Sequence, residues 1–213
     1  MKRTQNKASE FTLSKKQIQQ LILAASKEYQ GLRNRTIIEA LYYGALRRSE
    51  VAALDIRDLD LEKALLYVRS GKGDKERVVP ICAPLLSDLT LLVKDPAHYR
   101  IHRTSGPVFV SRNYRYPTPH RAIGQLHPIT INTIVGQAGK NAGLTNPNPR
   151  RSRINPHLLR HSFARHYLDA GGSLRVLSHI LGHSSISITG DVYGTPSVEF
   201  VEAEYKRIME QGG

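Results

Sequence analysis

The 213-residue chain predicts a mixed α/β fold, mainly helical, with a small antiparallel β-sheet or hairpin. Three observations carry that expectation. Apolar residues recur at helical spacing through much of the sequence; two short β-prone segments flank one Gly-rich turn; and residues suited to helix capping stand at the heads of several helical stretches. The length suffices to bury a substantial core as one large domain.

After a polar N-terminal tail over residues 1–11, Ser14-Lys15-Lys16-Gln17 reads as a capping box, in which the Ser14 side chain accepts from a first-turn N–H and Gln17 reaches back. That helix runs to about Tyr29. A second, from about Leu32 to Leu46, places Ile37, Ile38, Leu41 and Tyr42 on a core-facing stripe, and Glu50 to Leu54 forms another short helix. Leu65 to Arg69 is a strand. The polar turn Ser70-Gly71-Lys72-Gly73-Asp74-Lys75 separates it from Arg77-Val78-Val79-Pro80-Ile81, and the pair forms a hairpin. Pro80 cannot donate to a ladder, which puts its strand at an edge. Helix resumes over Pro84 to Val93. Lys94 to Pro128 carries no clear element; its Tyr99, Arg100, Arg103, Arg112, Tyr114, Arg115 and Tyr116 suit phosphates and sugar edges, and suit an ordinary exposed loop equally well. Ile129 to Ala142 is helical, and Asn146-Pro147-Asn148-Pro149 breaks it. There is no internal repeat and no low-complexity linker.

Lys and Arg number 31 against 18 Asp and Glu, a formal charge of +13. Such an excess suits a polyanion, and nucleic acid is the natural partner, because neutralising phosphates releases condensed counterions whatever the base sequence. A basic surface that only keeps the protein soluble is the bland alternative. The single cysteine, Cys82, cannot form an intrachain disulfide, which fits a reducing compartment. No run of 18 apolar residues and no apolar segment behind the basic N-terminus is present, so neither a membrane span nor a secretory signal is expected.

Chemistry concentrates in the C-terminal half. Asn155 caps a helix and Pro156 occupies its first turn, where the missing N–H does least harm. His157 and Arg160, three apart, share a face, while Leu159, Phe163 and Tyr167 pack on a neighbouring one. A phosphate near His157 meets the positive end of the helix and the Arg160 guanidinium. His157 and His161 also have the i,i+4 spacing of zinc helices, but Leu158-Leu159-Arg160 lies between them, so the Glu of a metallohydrolase motif is missing and the cation opposes a metal. Ser173 starts the next helix, with Val176, Leu177, Ile180 and Leu181 on its apolar side. Gly182 ends it and leaves His183 just beyond its C-terminus. Tyr193 follows; an isolated tyrosine usually packs, and alone it carries no assignment.

Taken in order, these segments resemble the tyrosine recombinase and phage integrase family, especially its compact Xer-like members, over about residues 12–205. Ala45-Leu46-Arg47-Arg48-Ser49-Glu50 looks like the family's first arginine motif, and Gly71-Lys72-Gly73-Asp74-Lys75-Glu76-Arg77-Val78-Val79-Pro80 looks like its lysine hairpin. His157-Leu158-Leu159-Arg160-His161, Leu181-Gly182-His183 and Tyr193 complete the set. The resemblance implies a catalytic domain over 12–194 and a helical tail over 195–213 that docks on a neighbouring protomer through Val198, Phe200, Val201, Tyr205 and Ile208. The family's N-terminal core-binding domain has no counterpart here, leaving an excised catalytic fragment or a compact natural enzyme.

By the same resemblance, Arg47 and Arg160 hold the non-bridging oxygens of a scissile phosphate, with Arg48 the neighbouring competitor for Arg47. Lys72 protonates the departing 5′ oxygen, His157 handles the Tyr193 proton, His183 donates to a phosphate oxygen, and Glu50 orients the cations. Lys75, Arg77, Arg112, Arg115, Arg150, Arg151 and Arg153 are candidate DNA contacts. The implied activity is site-specific cleavage and rejoining of double-stranded DNA through a 3′-phosphotyrosine, needing no cofactor and no metal, by a tetramer on paired recombination sites, in the cytoplasm or nucleoid. Type IB topoisomerase-like nicking and rejoining, or a non-catalytic DNA-binding accessory domain, are the alternatives. In two respects the chain departs from the pattern: Tyr193 lies ten residues after His183 where the family usually has nine, and Gly190-Asp191 replaces the usual polar pair.

Overall fold

The computed structural model describes residues 11–27, 30–69, 76–94, 104–111, 124–182 and 198–210. Ser14 opens the first helix, α1 (Lys15–Ser26), through a complete capping box: its Oγ accepts the Gln17 N–H at 3.2 Å, and Gln17 Oε1 accepts the Ser14 N–H at 2.9 Å. Ile18, Leu21 and Ala25 form its buried stripe. Helix α2 (Gly31–Tyr42) is buried on nearly all sides, including its polar residues Arg33, Asn34, Thr36 and Glu39. Burying those groups requires partners: Arg33 donates to Val110 O at 2.9 Å, and Thr36 to Leu32 O at 2.7 Å. The helix stops four residues before the expected Leu46. Ala45 takes a left-handed φ of 49°, and the Leu46 N–H turns back to Ala40 O at 3.3 Å. That reversal sets the direction in which the next segment leaves.

Helix α3 (Arg48–Ala53) follows directly, then a 3₁₀ turn (Ile56–Asp58) capped by Asp55. The sheet has three antiparallel strands in the order β1 (Leu59–Asp60), β2 (Leu65–Val68), β3 (Arg77–Pro80), with Leu66 opposite Leu59 on one side and Val79 on the other. Pro80 therefore sits on an edge strand, as its missing donor requires. The two-residue β1 extends the expected hairpin to a sheet.

Helix α4 (Ala83–Lys94) packs on α2, and α5 (Pro128–Asn141) packs on α1 and α3. Helix α6 (Pro156–Asp169) starts at Asn155, whose Oδ1 accepts the Leu158 N–H at 3.1 Å, with Pro156 in the first turn. Leu159, Phe163 and Tyr167 are fully buried, and Ser162 Oγ accepts the Leu13 N–H across the core at 2.9 Å. Helix α7 (Leu174–Leu181) is capped by Ser173 at one end and by left-handed Gly182 at the other. Val176, Leu177, Ile180 and Leu181 form its buried side.

Helix α8 (Val198–Glu210) packs in this single chain against β3 and the core. Val201, Tyr205 and Ile208 are buried, and the Tyr205 hydroxyl donates to Tyr43 O at 2.9 Å. The expected contributions of the Val198 and Phe200 side chains lie outside what is described. No helix among the described residues is long and apolar enough to cross a membrane.

Candidate active site

Three elements meet at one place. The turn after α2 ends at Arg47, α6 brings His157 and Arg160, and the C-terminus of α7 supplies carbonyl oxygens between them. Arg47, His157 and Arg160 line one open cavity of about 730 Å³, together with Arg48, Arg151 and His161. The Arg47 and Arg160 predicted from separate motifs therefore meet across 113 residues of sequence. Arg48 lies on the same wall but is exposed, whereas Arg47 is half-buried and bonded to the Glu50 carboxylate and the Gly182 carbonyl.

Each of the last three carbonyls at the C-terminus of α7 accepts a guanidinium from a different element. Arg77 Nε donates to Ile180 O at 2.8 Å, Arg160 Nη2 donates to Leu181 O, and Arg47 Nη2 donates to Gly182 O at 3.0 Å. A helix C-terminus carries unpaired carbonyls and partial negative charge, so arginines satisfy it twice over. Arg160 Nη1 also donates to Ala45 O, joining the α2 turn to the end of α7. Two of its five N–H groups are thus accounted for by the backbone, on a side chain that also lines the cavity.

Glu50 stands behind this row. Its Oε2 accepts the Arg47 backbone N–H at 2.7 Å and Arg77 Nη2 at 2.8 Å; its Oε1 accepts Arg47 Nη1 at 3.1 Å and Arg77 Nη1 at 2.8 Å. Burial pushes the Glu50 carboxyl up, but the hydrogen bonds and charge of Arg77, the Arg47 N–H and the charge of Arg160 outweigh it, and the group is held below the usual carboxylate range. Glu50 is therefore held in its ionised form between Arg47 and Arg77.

The exposed His157 imidazole is pushed below its ordinary value, first by partial desolvation and then by His161, Arg160 and Arg151. Its ring lies parallel to that of His161, with centroids 6.4 Å apart. A neutral imidazole beside two guanidinium groups can accept a proton while they hold an anion. Among the described residues, no three His, Cys, Asp or Glu side chains gather as a metal site.

The basic loop before α6 is shaped by asparagines. Asn146 Oδ1 accepts the Asn148 N–H at 3.0 Å, Asn148 Oδ1 accepts the Arg150 N–H at 2.9 Å, and Asn146 Nδ2 donates to Arg153 O at 2.7 Å. These side-chain turns hold Arg150, Arg151 and Arg153 exposed beside the cavity, with Arg151 on its lining.

One expected DNA contact is corrected. Arg77 is not a surface cation: its side chain is 2% exposed, forked onto Glu50 and bonded to Ile180 O. A signal for this was present, because Arg77 and Val79 share one face of β3 and Val79 is fully buried. A charge at period two with a core valine belongs to the inward face. Residues Lys72, Lys75, Arg112, Arg115, His183 and Tyr193 lie outside the described residues.

Two guanidinium groups and an imidazole line one open cavity on a basic, mainly helical α/β domain. Residues 12–199 match the phage integrase family, and the chain belongs to that family. It is 34% identical over 178 residues to tyrosine recombinase XerA of Pyrococcus furiosus, covering 84% of this chain and 55% of the relative. It is 36% identical over 181 residues to tyrosine recombinase XerD of Caulobacter vibrioides, covering 83% and 55%. The chain spans about half the length of the curated relatives it matches. Its fold is similar to that of the XerA recombinase crystal structure, with a TM-score of 0.67 at 29% identity over 92% of this chain and 64% of that one. The fold is also similar to XerH bound to difH substrate in a pre-cleavage complex, with a TM-score of 0.61 at 23% identity over 94% and 51%. The fold is thus the tyrosine recombinase catalytic fold.

Proposed function

We propose that the chain is the catalytic part of a tyrosine site-specific recombinase that cleaves and rejoins double-stranded DNA at a defined recombination site. The observation that carries this reading is the convergence of Arg47, His157 and Arg160 on one cavity, with Glu50 holding the cationic row from behind. In the proposed reaction the two guanidinium groups hold the non-bridging oxygens and stabilise the charge that develops in the pentavalent transition state. The Tyr193 oxygen attacks phosphorus as His157 takes the phenolic proton. The bond to the 5′ oxygen breaks, and Lys72 delivers a proton to that oxygen. His183 donates to a non-bridging oxygen. The 3′-phosphotyrosine conserves the energy of the broken phosphodiester, and a 5′ hydroxyl from another strand reverses the step without ATP.

Residues 12–194 form the catalytic unit in this reading. The segment from 195 onward exchanges its docking from its own chain to a neighbour in a tetramer on paired sites. Arg150, Arg151 and Arg153 contact the DNA backbone beside the scissile phosphate, and the protein acts where DNA is, in the cytoplasm or nucleoid.

A library of nicked duplex sites tests the reading by trapping covalent adducts and mapping the linked residue by peptide mass. An adduct at Tyr193 with recombinant product is the expected result. Relaxation of supercoiled DNA without recombinants would instead assign a nicking and rejoining enzyme, and specific binding with no adduct would assign an accessory domain. The pH profile adds a second check. His157 takes a proton only when neutral, and its pKa lies below the ordinary value of about 6.5. Single-turnover cleavage is therefore expected to hold through neutral pH and to fall as pH drops through that lowered value. In His157→Gln this acid limb should vanish along with most of the rate; an unchanged limb in that variant removes His157 from the proton path.

A further inference from the structure

We infer that Arg77 is a positioning residue for Arg47 in the proposed strand cleavage, acting through Glu50 and the C-terminal carbonyls of α7. The contacts close a ring. Arg77 grips both oxygens of Glu50 at 2.8 Å, Glu50 grips the Arg47 guanidinium at 3.1 Å and its backbone N–H at 2.7 Å, Arg47 reaches Gly182 O at 3.0 Å, and Arg77 returns to Ile180 O at 2.8 Å. Two residues of backbone join the last two acceptors. Arg47 is thereby held from both sides, by a carboxylate and by a helix end, and both holds share Arg77 as their second anchor.

The chemistry of the groups explains why an arginine is needed. A carboxylate on three rotatable bonds has no fixed plane of its own. The planar guanidinium fork, bonded twice to Glu50, sets that plane, and the plane sets where Glu50 Oε1 meets Arg47. The third bond, from Nε to Ile180 O, fixes the fork itself on α7. A lysine offers one donor atom and cannot make this bidentate contact.

Fold stability alone does not account for the arrangement. A buried ion pair commonly contributes no more than apolar side chains of the same volume, yet Glu50 here lies among Arg47, Arg77 and the charge of Arg160. What the ring adds over an apolar core is a fixed direction for a guanidinium that lines the cavity.

The inference rests on the proposed reaction, so its test carries one readout that does not depend on cleavage. Arg77→Gln, Arg77→Lys and the control Val79→Ala are compared below the temperature at which each begins to unfold. Val79 is fully buried on the same strand face but touches no part of the ring through polar atoms, and its truncation lowers the melting temperature without slowing cleavage by the folded protein. For Arg77→Gln, single-turnover cleavage at saturating DNA is expected to fall about 100-fold, the cost of roughly an ångström of misplacement. DNA affinity and its salt dependence stay as in the unaltered chain, whereas loss of a phosphate contact would flatten the slope of log affinity against log salt by about 0.9. Arg77→Lys retains the charge and loses the fork, and it recovers only part of the rate.

In an Arg47→Ala background, Arg77→Gln is expected to slow cleavage little further, because its effect passes through Arg47. Nitrogen NMR of the DNA-free protein reads the same coupling directly. The Arg47 guanidinium signals are expected to be sharp in the unaltered chain, to broaden in Arg77→Gln and to persist in Val79→Ala. Unchanged cleavage and unchanged Arg47 signals in folded Arg77→Gln would overturn the inference. So would a rate loss that adds fully to that of Arg47→Ala, or one matched by a flattened salt slope. Failure of the unaltered chain to form any adduct would overturn the proposed reaction, while the Arg47 signals would still decide whether Arg77 positions it.

Discussion

Replacing Arg160 with alanine is expected to reduce DNA cleavage by about 10³-fold or more and to destabilise the fold at the same time. In the proposed reaction the rate loss follows from removing a preorganised cationic donor where phosphoryl charge develops, for which single groups are worth roughly 10²-fold to 10⁵-fold. The stability loss follows from the backbone. Arg160 donates to Ala45 O and to Leu181 O, and both residues are buried. Each carbonyl left without a partner costs about 1–3 kcal/mol, so the two together approach a large part of the stability of an ordinary domain, about 5–15 kcal/mol. Arg160→Lys separates the two effects, because one ammonium keeps the charge and cannot reach two acceptors in a fixed fork. It is expected to recover part of the stability, measured by urea unfolding, and little of the rate, measured by single-turnover adduct formation. An Arg160→Ala protein that unfolds like the unaltered chain and cleaves within tenfold of it would remove Arg160 from both roles.

The double duty of Arg160 marks what the sequence made legible. Its residue type, its place one turn after a capped helix start and its company with His157 were all readable, because capping and i,i+3 spacing are local. The same holds for the Ser14 capping box, the Asn155-Pro156 start of α6, the Ser173 and Gly182 ends of α7, and the edge position of Pro80. The acceptors were not readable. Every residue has a backbone carbonyl, so nothing marks Ile180, Leu181 and Gly182 as the sites on which three arginines converge. The apolar stripe of α2 carries no mark of where the helix ends, and nothing local reports that Ala45 adopts a left-handed φ. Its buried Arg33, Asn34 and Glu39 likewise look like a solvated face until α1, α4, α5 and α6 close around them. The two-residue strand β1 is too short to show a period. Arg77 differs: its alternation with Val79 along β3 sets it on the inward face, while its charge alone suggests a DNA contact.

Substitution of Gly182 is expected to have a second large effect. The residue adopts φ 59°, and a Cβ built on it would lie 2.8 Å from Arg77 Nη1 and 3.0 Å from Arg77 Cδ and Cζ. A flexible side-chain end would yield to such a contact, but this guanidinium is held by Glu50 and Ile180 O. Alanine here faces two costs: about 1–2 kcal/mol for the left-handed backbone, and displacement of a buried arginine from its carboxylate, where breaking a pair costs about 3–5 kcal/mol. Partial accommodation brings the expected loss for Gly182→Ala to roughly 2–5 kcal/mol, read from denaturant unfolding. Gly182→Asn distinguishes the two causes, since asparagine tolerates the left-handed region but carries the same Cβ. If the approach of Arg77 dominates, the asparagine and alanine variants lose similar stability, and both slow cleavage by disturbing the ring that holds Arg47. If the backbone dominates, asparagine recovers most of the loss. Alanine tolerated within about 0.5 kcal/mol, the range of an ordinary surface substitution, would show that Arg77 does not need the space glycine leaves.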